Sequence, residues 1–366
     1  MVFFRNDYGQ GCIEPIMKLL IQSNDESHPG YGRDEYCKKA AEILQSKFPD
    51  TPCDIQFVVS GSMTNISVIR HLLRHYEAVI SCDTAHIYVH ESGAIEAAGH
   101  KIIPVPHANG KLTAAGVDKL MDEYDIMSQY LIRPRIVYIS NTTEMGTVYT
   151  RTELEDLYQV CKKHDLFLFI DGARMGTALM SGVDYTLNDL AKWCDVFSIG
   201  GTKCGALFGE AICIANPELK NFFRFSMKQS GAVMAKGWLI GLQFIGLFEN
   251  DDFYKCAAHA NSMAREIQNE IIELGYPLYM KSTTNLTFVV LNEIQYQYLK
   301  DRVDFEIWSR WDNDYIIRLV SSWHTKPDEV EYLKVYLQEA MQKSLKAEEE
   351  TEEEEIIVYD SPLPGK

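Results

Sequence analysis

Three things are scarce in this sequence, and each scarcity removes a class of protein. There is no CxxC pair. The nine cysteines (Cys12, Cys37, Cys53, Cys82, Cys161, Cys194, Cys204, Cys213 and Cys256) are odd in number and scattered, which argues against a disulfide framework and against a zinc site. A reducing cytoplasm is therefore the expected compartment, and no metal is expected. There is no dense Lys/Arg cluster: 35 basic residues face 52 acidic ones, for a net charge of −17, so no nucleic-acid partner is expected. No apolar stretch reaches the length of a membrane span, and the amino-terminal MVFFRNDYGQG places Arg5 and Asp7 where an export signal needs an apolar run, so neither membrane nor secretion is expected.

Part of the acidity is local. From Glu348 to Lys366 eight acids stand against one lysine, so this segment carries −7. KAEEETEEEE has no apolar stripe and reads as a solvated, disordered tail over residues 346–366. The remaining composition, 46% apolar and 24% charged, suits a soluble chain long enough for one large and one small domain.

Short runs apolar on both faces alternate with helical patterns: IQFVV (55–59), RIVYIS (135–140), LFLFI (166–170), DVFSI (195–199) and EAICIA (210–215). Such runs are expected of strands buried in a parallel sheet. Between two of them, TELEDLYQVCKKH (152–164) carries the stripe Leu154, Leu157, Val160 and Cys161, with Thr150 and Glu153 as a capping box. The pattern predicts an α/β large domain over 31–240, entered by a segment 1–30. Beyond it, NLTFVVLN, DYIIRLVSS and DEVEYLKVYLQEAMQKSL suit a small α+β domain over 241–345.

Ligands of open α/β sheets sit beyond the carboxyl ends of the strands. Those ends carry Ser60-Gly61-Ser62, Asn141-Thr142-Thr143-Glu144, Asp171-Gly172-Ala173-Arg174 and Gly200-Gly201-Thr202-Lys203. Singly, each has a plain reading. A Gly/Ser turn opening a helix is a phosphate seat or an ordinary capped turn. A sheet-edge Asp is a buried carboxylate or a turn cap, and Lys203 is a buried amine or a surface one. Together they supply a phosphate seat, an imine-forming amine and an acid for a ring nitrogen, which are the requirements of pyridoxal phosphate. No GxGxxG opens a strand–helix unit, so a dehydrogenase is disfavoured.

The segments HPGYGRD (28–34), SGSMTN (60–65), AHIYVHESGA (85–94), SNTTEMGTVYT (140–150), DGARMG (171–176), GGTKCGALFGEA (200–211) and MKQSGAVMAKGW (227–238) resemble, in order and spacing over residues 5–340, the threonine aldolase / β-eliminating lyase family. The low-specificity threonine aldolase branch of the aspartate-aminotransferase-like superfamily is the nearest likeness. The resemblance implies fold type I: a large domain with a mainly parallel sheet flanked by helices, plus a small carboxy-terminal α+β domain.

It also implies roles. Lys203 matches the Schiff-base lysine, Asp171 the partner of the pyridine nitrogen, and His86 the histidine stacked on the ring. Gly61 and Ser62 match the phosphate loop. Thr202 adds a hydroxyl to the phosphate or shapes its turn. Lys228 matches a basic residue lent across a subunit boundary, so a homodimer or homotetramer with sites at the interface is implied. Asn6, Arg174 and Arg318 match the clamp on an amino acid's carboxylate, and Tyr31 falls at the mouth of the site. An arginine beside a cofactor acid can equally form a structural ion pair. Many relatives carry a histidine where this chain has Thr143-Glu144. The implied activity is cleavage of a β-hydroxy-α-amino acid of the threonine or allo-threonine type to glycine and an aldehyde. The alternatives are another lyase reaction on the same scaffold, β-elimination or phenylserine-type cleavage, or a non-catalytic relative.

Overall fold

The computed structural model describes residues 1–127 and 130–359. Its strands are Val2–Phe3 (β1), Asp54–Val58 (β2), Glu77–Cys82 (β3), Lys101–Val105 (β4), Arg133–Ser140 (β5), Phe167–Asp171 (β6), Val196–Gly200 (β7), Glu210–Ile214 (β8), Leu278–Met280 (β9), Leu286–Leu291 (β10), Val303–Asp304 (β11), Glu306–Trp311 (β12) and Asp314–Val320 (β13). Seven form one sheet in the order β2-β8-β7-β6-β5-β3-β4. Only β8 runs against its neighbours, so the sheet is mainly parallel. Reversing β8 puts its first residue, Glu210, opposite both Val58, the last of β2, and Gly200, the last of β7. The chain therefore delivers several strand ends and one strand start to the same edge.

The helix predicted over 152–164 runs Arg151–Lys163. Thr150 and Glu153 form both halves of its capping box, and Leu154, Leu157, Val160 and Cys161 are its buried stripe. Two sheet strands carried no clear signal. β4 lies at the sheet edge with Lys101 and Pro104 exposed, and β3 opens on the buried Glu77, which breaks the apolar run that marks its neighbours.

The second sheet is antiparallel, β12-β13-β10-β9. It shares a smaller core with Val2 and Phe4 of the amino-terminal segment. The helix Asp252–Glu273 serves both cores: Phe253 and Ala257 belong to the larger, Met263, Ile267 and Ile271 to the smaller. The preceding helix, Trp238–Phe248, is buried almost all round in the larger core, so the boundary drawn at 240/241 lies ahead of the handover. The last helix, Pro327–Tyr359, takes in most of the segment read as a tail; residues 360–366 lie outside the described residues.

Candidate active site

Asp171 ends β6 beside Ser140 of β5. Its carboxylate accepts from the Tyr138 hydroxyl at 2.6 Å, from Asn65 Nδ2 at 3.3 Å and from the Ala173 N–H at 2.9 Å. Three donors thus converge on this buried carboxylate and fix its orientation. Burial, and then the Asp171 charge, push the Tyr138 phenol well above its ordinary value, so it stays a donor. Gly172 must be glycine for a packing reason: a Cβ there would stand 2.0 Å from the Ser198 carbonyl. That approach lets the Gly172 carbonyl accept from the Gly200 N–H at 2.9 Å, tying the Asp171 turn to the Lys203 turn.

Asn65 belongs to the helix Gly61–Leu72 that follows β2. Ser60 caps it, accepting from the Met63 N–H at 3.3 Å. A Cβ added at Gly61 would meet nothing within 4 Å, so the first turn opens onto free space. Gly61 and Ser62 are the residues at that opening.

Lys203 lies half-buried in the turn from β7 to β8. Among the described residues no hydrogen bond or ion pair engages its amine. Burial, and next the Arg174 charge, press its pKa below the ordinary value, against the pull of Asp7, Glu144 and Asp171. The neighbouring Thr202 hydroxyl donates to Glu210 Oε1 at 2.9 Å and accepts from the Gly209 N–H at 3.1 Å. Of the two readings of Thr202, this geometry is that of a turn-shaping residue.

His86 opens the one-turn helix His86–Val89. Its Nδ1 donates to Glu144 Oε1 at 2.9 Å, and its Nε2 lies 3.8 Å from Glu91 Oε1. Burial would lower the imidazole pKa, but the hydrogen bond and charge of Glu144 outweigh it and the net shift is upward. Glu144 is buried, yet His86, Arg174 and Lys203 overcome that burial and hold it well below the usual carboxylate range.

Both arginines are buried. Arg174 gives Nε and Nη2 to the two oxygens of Asp7, at 2.7 and 3.1 Å, and Asp7 also accepts from Asn285 at 2.9 Å. Its Nη1 carries no hydrogen bond among the described residues. Arg318, on β13, bonds Glu306, lies 3.9 Å from Glu144 Oε2 and stacks over Trp308; its buried Nε has no hydrogen-bond partner among the described residues. Asn6, beside Asp7, accepts from the Tyr8 N–H at 3.0 Å. Lys228 stands apart, exposed on the helix Phe223–Gln229 with its amine 4.1 Å from the Tyr31 ring centre. Tyr31 and Lys228 line an open cavity with Arg33, Arg224 and Phe225.

The fold thus gathers Asp171, Lys203, His86, Arg174 and Arg318 at one edge of the sheet, and within this chain it does not bring Lys228 to them. Asp7, Asn65, His90, Glu91, Tyr138, Glu210 and Glu306 join the cluster without having been singled out. A separate group, Asp118, Asp122 and His164, meets within 4.8 Å on the far helices, with Asp118 already bonded to Lys163 and His164.

The unpartnered amine, the triply bonded acid, the open helix start and the orphaned Arg318 Nε fit pyridoxal phosphate with an amino acid beside it, and the architecture is that of fold type I pyridoxal-phosphate enzymes. A Sphingomonas wittichii serine palmitoyltransferase shares the fold alone, at TM-score 0.71 and 14% identity over 93% of this chain and 87% of that one. The beta-eliminating lyase family matches residues 17–294, and the chain belongs to it. A low specificity L-threonine aldolase of Pseudomonas aeruginosa is 30% identical over 82% of this chain and 87% of that protein. A Leishmania major threonine aldolase structure superposes at TM-score 0.90, with 40% identity over 93% of this chain and 100% of that one. Among the described residues no helix is long and apolar enough to cross a membrane.

Proposed function

We propose that this protein is a pyridoxal-phosphate-dependent lyase that cleaves a β-hydroxy-α-amino acid of the threonine type to glycine and an aldehyde. The observation that carries this reading is Lys203: an amine with a depressed pKa and no hydrogen-bond or ion-pair partner among the described residues, gathered at the same sheet edge as a carboxylate held by three donors.

Lys203 holds the cofactor, Asp171 meets its ring nitrogen, His86 lies against the ring, and the first-turn N–H groups at Gly61 and Ser62 face the phosphate. When bound, the cofactor supplies a cationic ring that draws electron density from the substrate's α-carbon. Arg174 through Nη1 and Arg318 through Nε bind the substrate carboxylate, with Asn6 beside them. Asp7 and Glu306 hold the two guanidinium groups in place. Fixing the carboxylate fixes which α-carbon bond is presented for cleavage, so the clamp acts by positioning. Tyr138 and Asn65 hold the Asp171 carboxylate in place, and Glu144 keeps the His86 ring oriented.

The enzyme is a cytoplasmic homo-oligomer in this reading. Nine free cysteines favour a reducing compartment. Phe222 and Phe225, 77% and 75% exposed beside Lys228, favour a face covered by a second copy whose phosphate Lys228 reaches. The test is aldehyde release from L-threonine, L-allo-threonine and phenylserine by the cofactor-loaded protein, with Lys203→Ala alongside. Release that disappears in the variant supports the reading; equal release by both refutes it.

A further inference from the structure

A second imidazole, His90, stands beside His86 at this edge. It follows the helix His86–Val89, and its backbone N–H closes the turn onto the His86 carbonyl at 2.9 Å. Four residues of spacing set the two histidines on one face, with ring centres 5.5 Å apart. Both look onto Glu144, and they do so differently. His86 commits Nδ1 to Oε1 at 2.9 Å, whereas His90 Nε2 stands 3.9 Å from Oε2, too far for a hydrogen bond. Among the described residues the His90 side chain makes no hydrogen bond at all. Its ring is held by contact with Trp308, at 5.8 Å, and Trp308 in turn lies under Arg318, one of the two proposed carboxylate ligands. His90 is therefore positioned but not engaged, beside the place where the substrate's polar end is clamped.

We propose that His90 is a catalytic residue of the lyase reaction, its Nε2 taking the proton of the substrate's β-hydroxyl. This inference rests on the function proposed above. The electrons of the O–H bond become the second bond of the aldehyde carbonyl, and the Cα–Cβ pair passes to the α-carbon. The α-carbon then takes up a proton and leaves as glycine. The proton that His90 later returns to solvent balances it.

The surroundings divide labour between the two histidines. His86 is favoured as a cation and its Nδ1 is already bonded, which leaves it poorly placed as a base. His90 is pushed the other way: burial, then the charges of His86 and Arg318, lower its pKa, while Glu144 and Glu306 oppose them. A base acts when neutral, so the activity His90 supports is present above its pKa and lost as pH falls through it. That limb lies below the ordinary value of 6.5.

The experiment compares the cofactor-loaded wild type with His90→Asn and His90→Phe, the second keeping an aromatic ring against Trp308. Two reactions are followed: cleavage of L-allo-threonine, and exchange of the α-hydrogen of glycine for deuterium, which involves no β-hydroxyl. General base catalysis typically contributes about 10²–10⁴-fold. Both variants should therefore lose cleavage by about 100-fold or more and lose the acid limb of its pH profile. Glycine exchange should stay within about threefold of wild type. Cleavage that survives in either variant overturns the proposal. So does a fall in both reactions together, which would mark a structural role. A wild type that exchanges glycine but cleaves no β-hydroxy amino acid would refute the function proposed above, and this assignment with it.

Discussion

Replacing Asp7 by Ala should cost the fold substantial stability, although the residue removed is polar. Asp7 is 1% exposed and accepts three hydrogen bonds, two from Arg174 and one from Asn285. Removing it leaves the buried Arg174 cation without its partner. Breaking one side of a buried ion pair typically costs about 3–5 kcal/mol. At about 2–4 °C per kcal/mol for domains of 150–250 residues, Tm should fall by roughly 10 °C. Removing both charges is a different matter: Asp7→Leu with Arg174→Met should recover most of the loss, because no orphan charge remains, yet should stay inactive for want of the carboxylate ligand.

The pair also has a pH signature. Burial would raise the Asp7 pKa, but Arg174 and Lys203 more than reverse this and leave it below the ordinary 3.8. A depressed carboxylate stabilises the fold above its unfolded value and loses that contribution as pH falls through the folded one. Wild type should therefore lose stability steeply below about pH 4, and Asp7→Ala less so. Thermal and urea unfolding followed from about pH 3 to about pH 7 would decide the matter. An Asp7→Ala protein within about 1 kcal/mol of wild type at neutral pH, or a double variant no more stable than the single one, would refute the reasoning.

Three further outcomes are expected. Asp171→Ala should keep some cofactor, seen in its visible absorbance, while cleavage falls by at least about 100-fold; wild-type-like turnover would overturn the assignment of Asp171. Gly172→Ala should destabilise the fold by about 1–3 kcal/mol, because its Cβ would stand 2.0 Å from the Ser198 carbonyl; an unchanged Tm would contradict the packing argument. Lys228→Ala should weaken cofactor retention on dialysis only in the assembled protein, and an active monomer in sedimentation would contradict the shared-site reading.

Much of the site was legible because strand ends in an open α/β sheet are places where chemistry collects. The buried runs at 166–170 and 195–199 pointed straight at Asp171 and Lys203, and the sheet delivers both to one edge. The capping box at Thr150 and Glu153 fixed a helix start to within one residue. What stayed hidden was long-range partnership. Asp7 and Arg174 are 167 positions apart, and nothing in either local sequence announces the other. Arg174 was foreseen only as a substrate ligand or a structural pair; its Nε and Nη2 are paired and its Nη1 is spare, so both readings retain an atom. Asn65 ended the SGSMTN segment and suggested no role, although it is fully buried against Glu91 and Asp171. Glu210 opened a strand and gave no sign that reversing β8 would bury it beside Lys203, where burial raises its pKa to about 8. No pattern around His90 marked a role for it, and the ring it packs against, Trp308, comes from a distant strand.

The central claim is that this scaffold breaks the Cα–Cβ bond and not the bond to the β-oxygen. Product analysis of L-threonine and L-allo-threonine turnover by nuclear magnetic resonance tests it most directly, using the cofactor-loaded protein and following both carbon fragments. The account predicts glycine and acetaldehyde in equal amounts, absent from the Lys203→Ala control. Formation of 2-oxobutanoate and ammonia in their place would contradict it, and would mean that the same lysine and the same arginine clamp serve β-elimination.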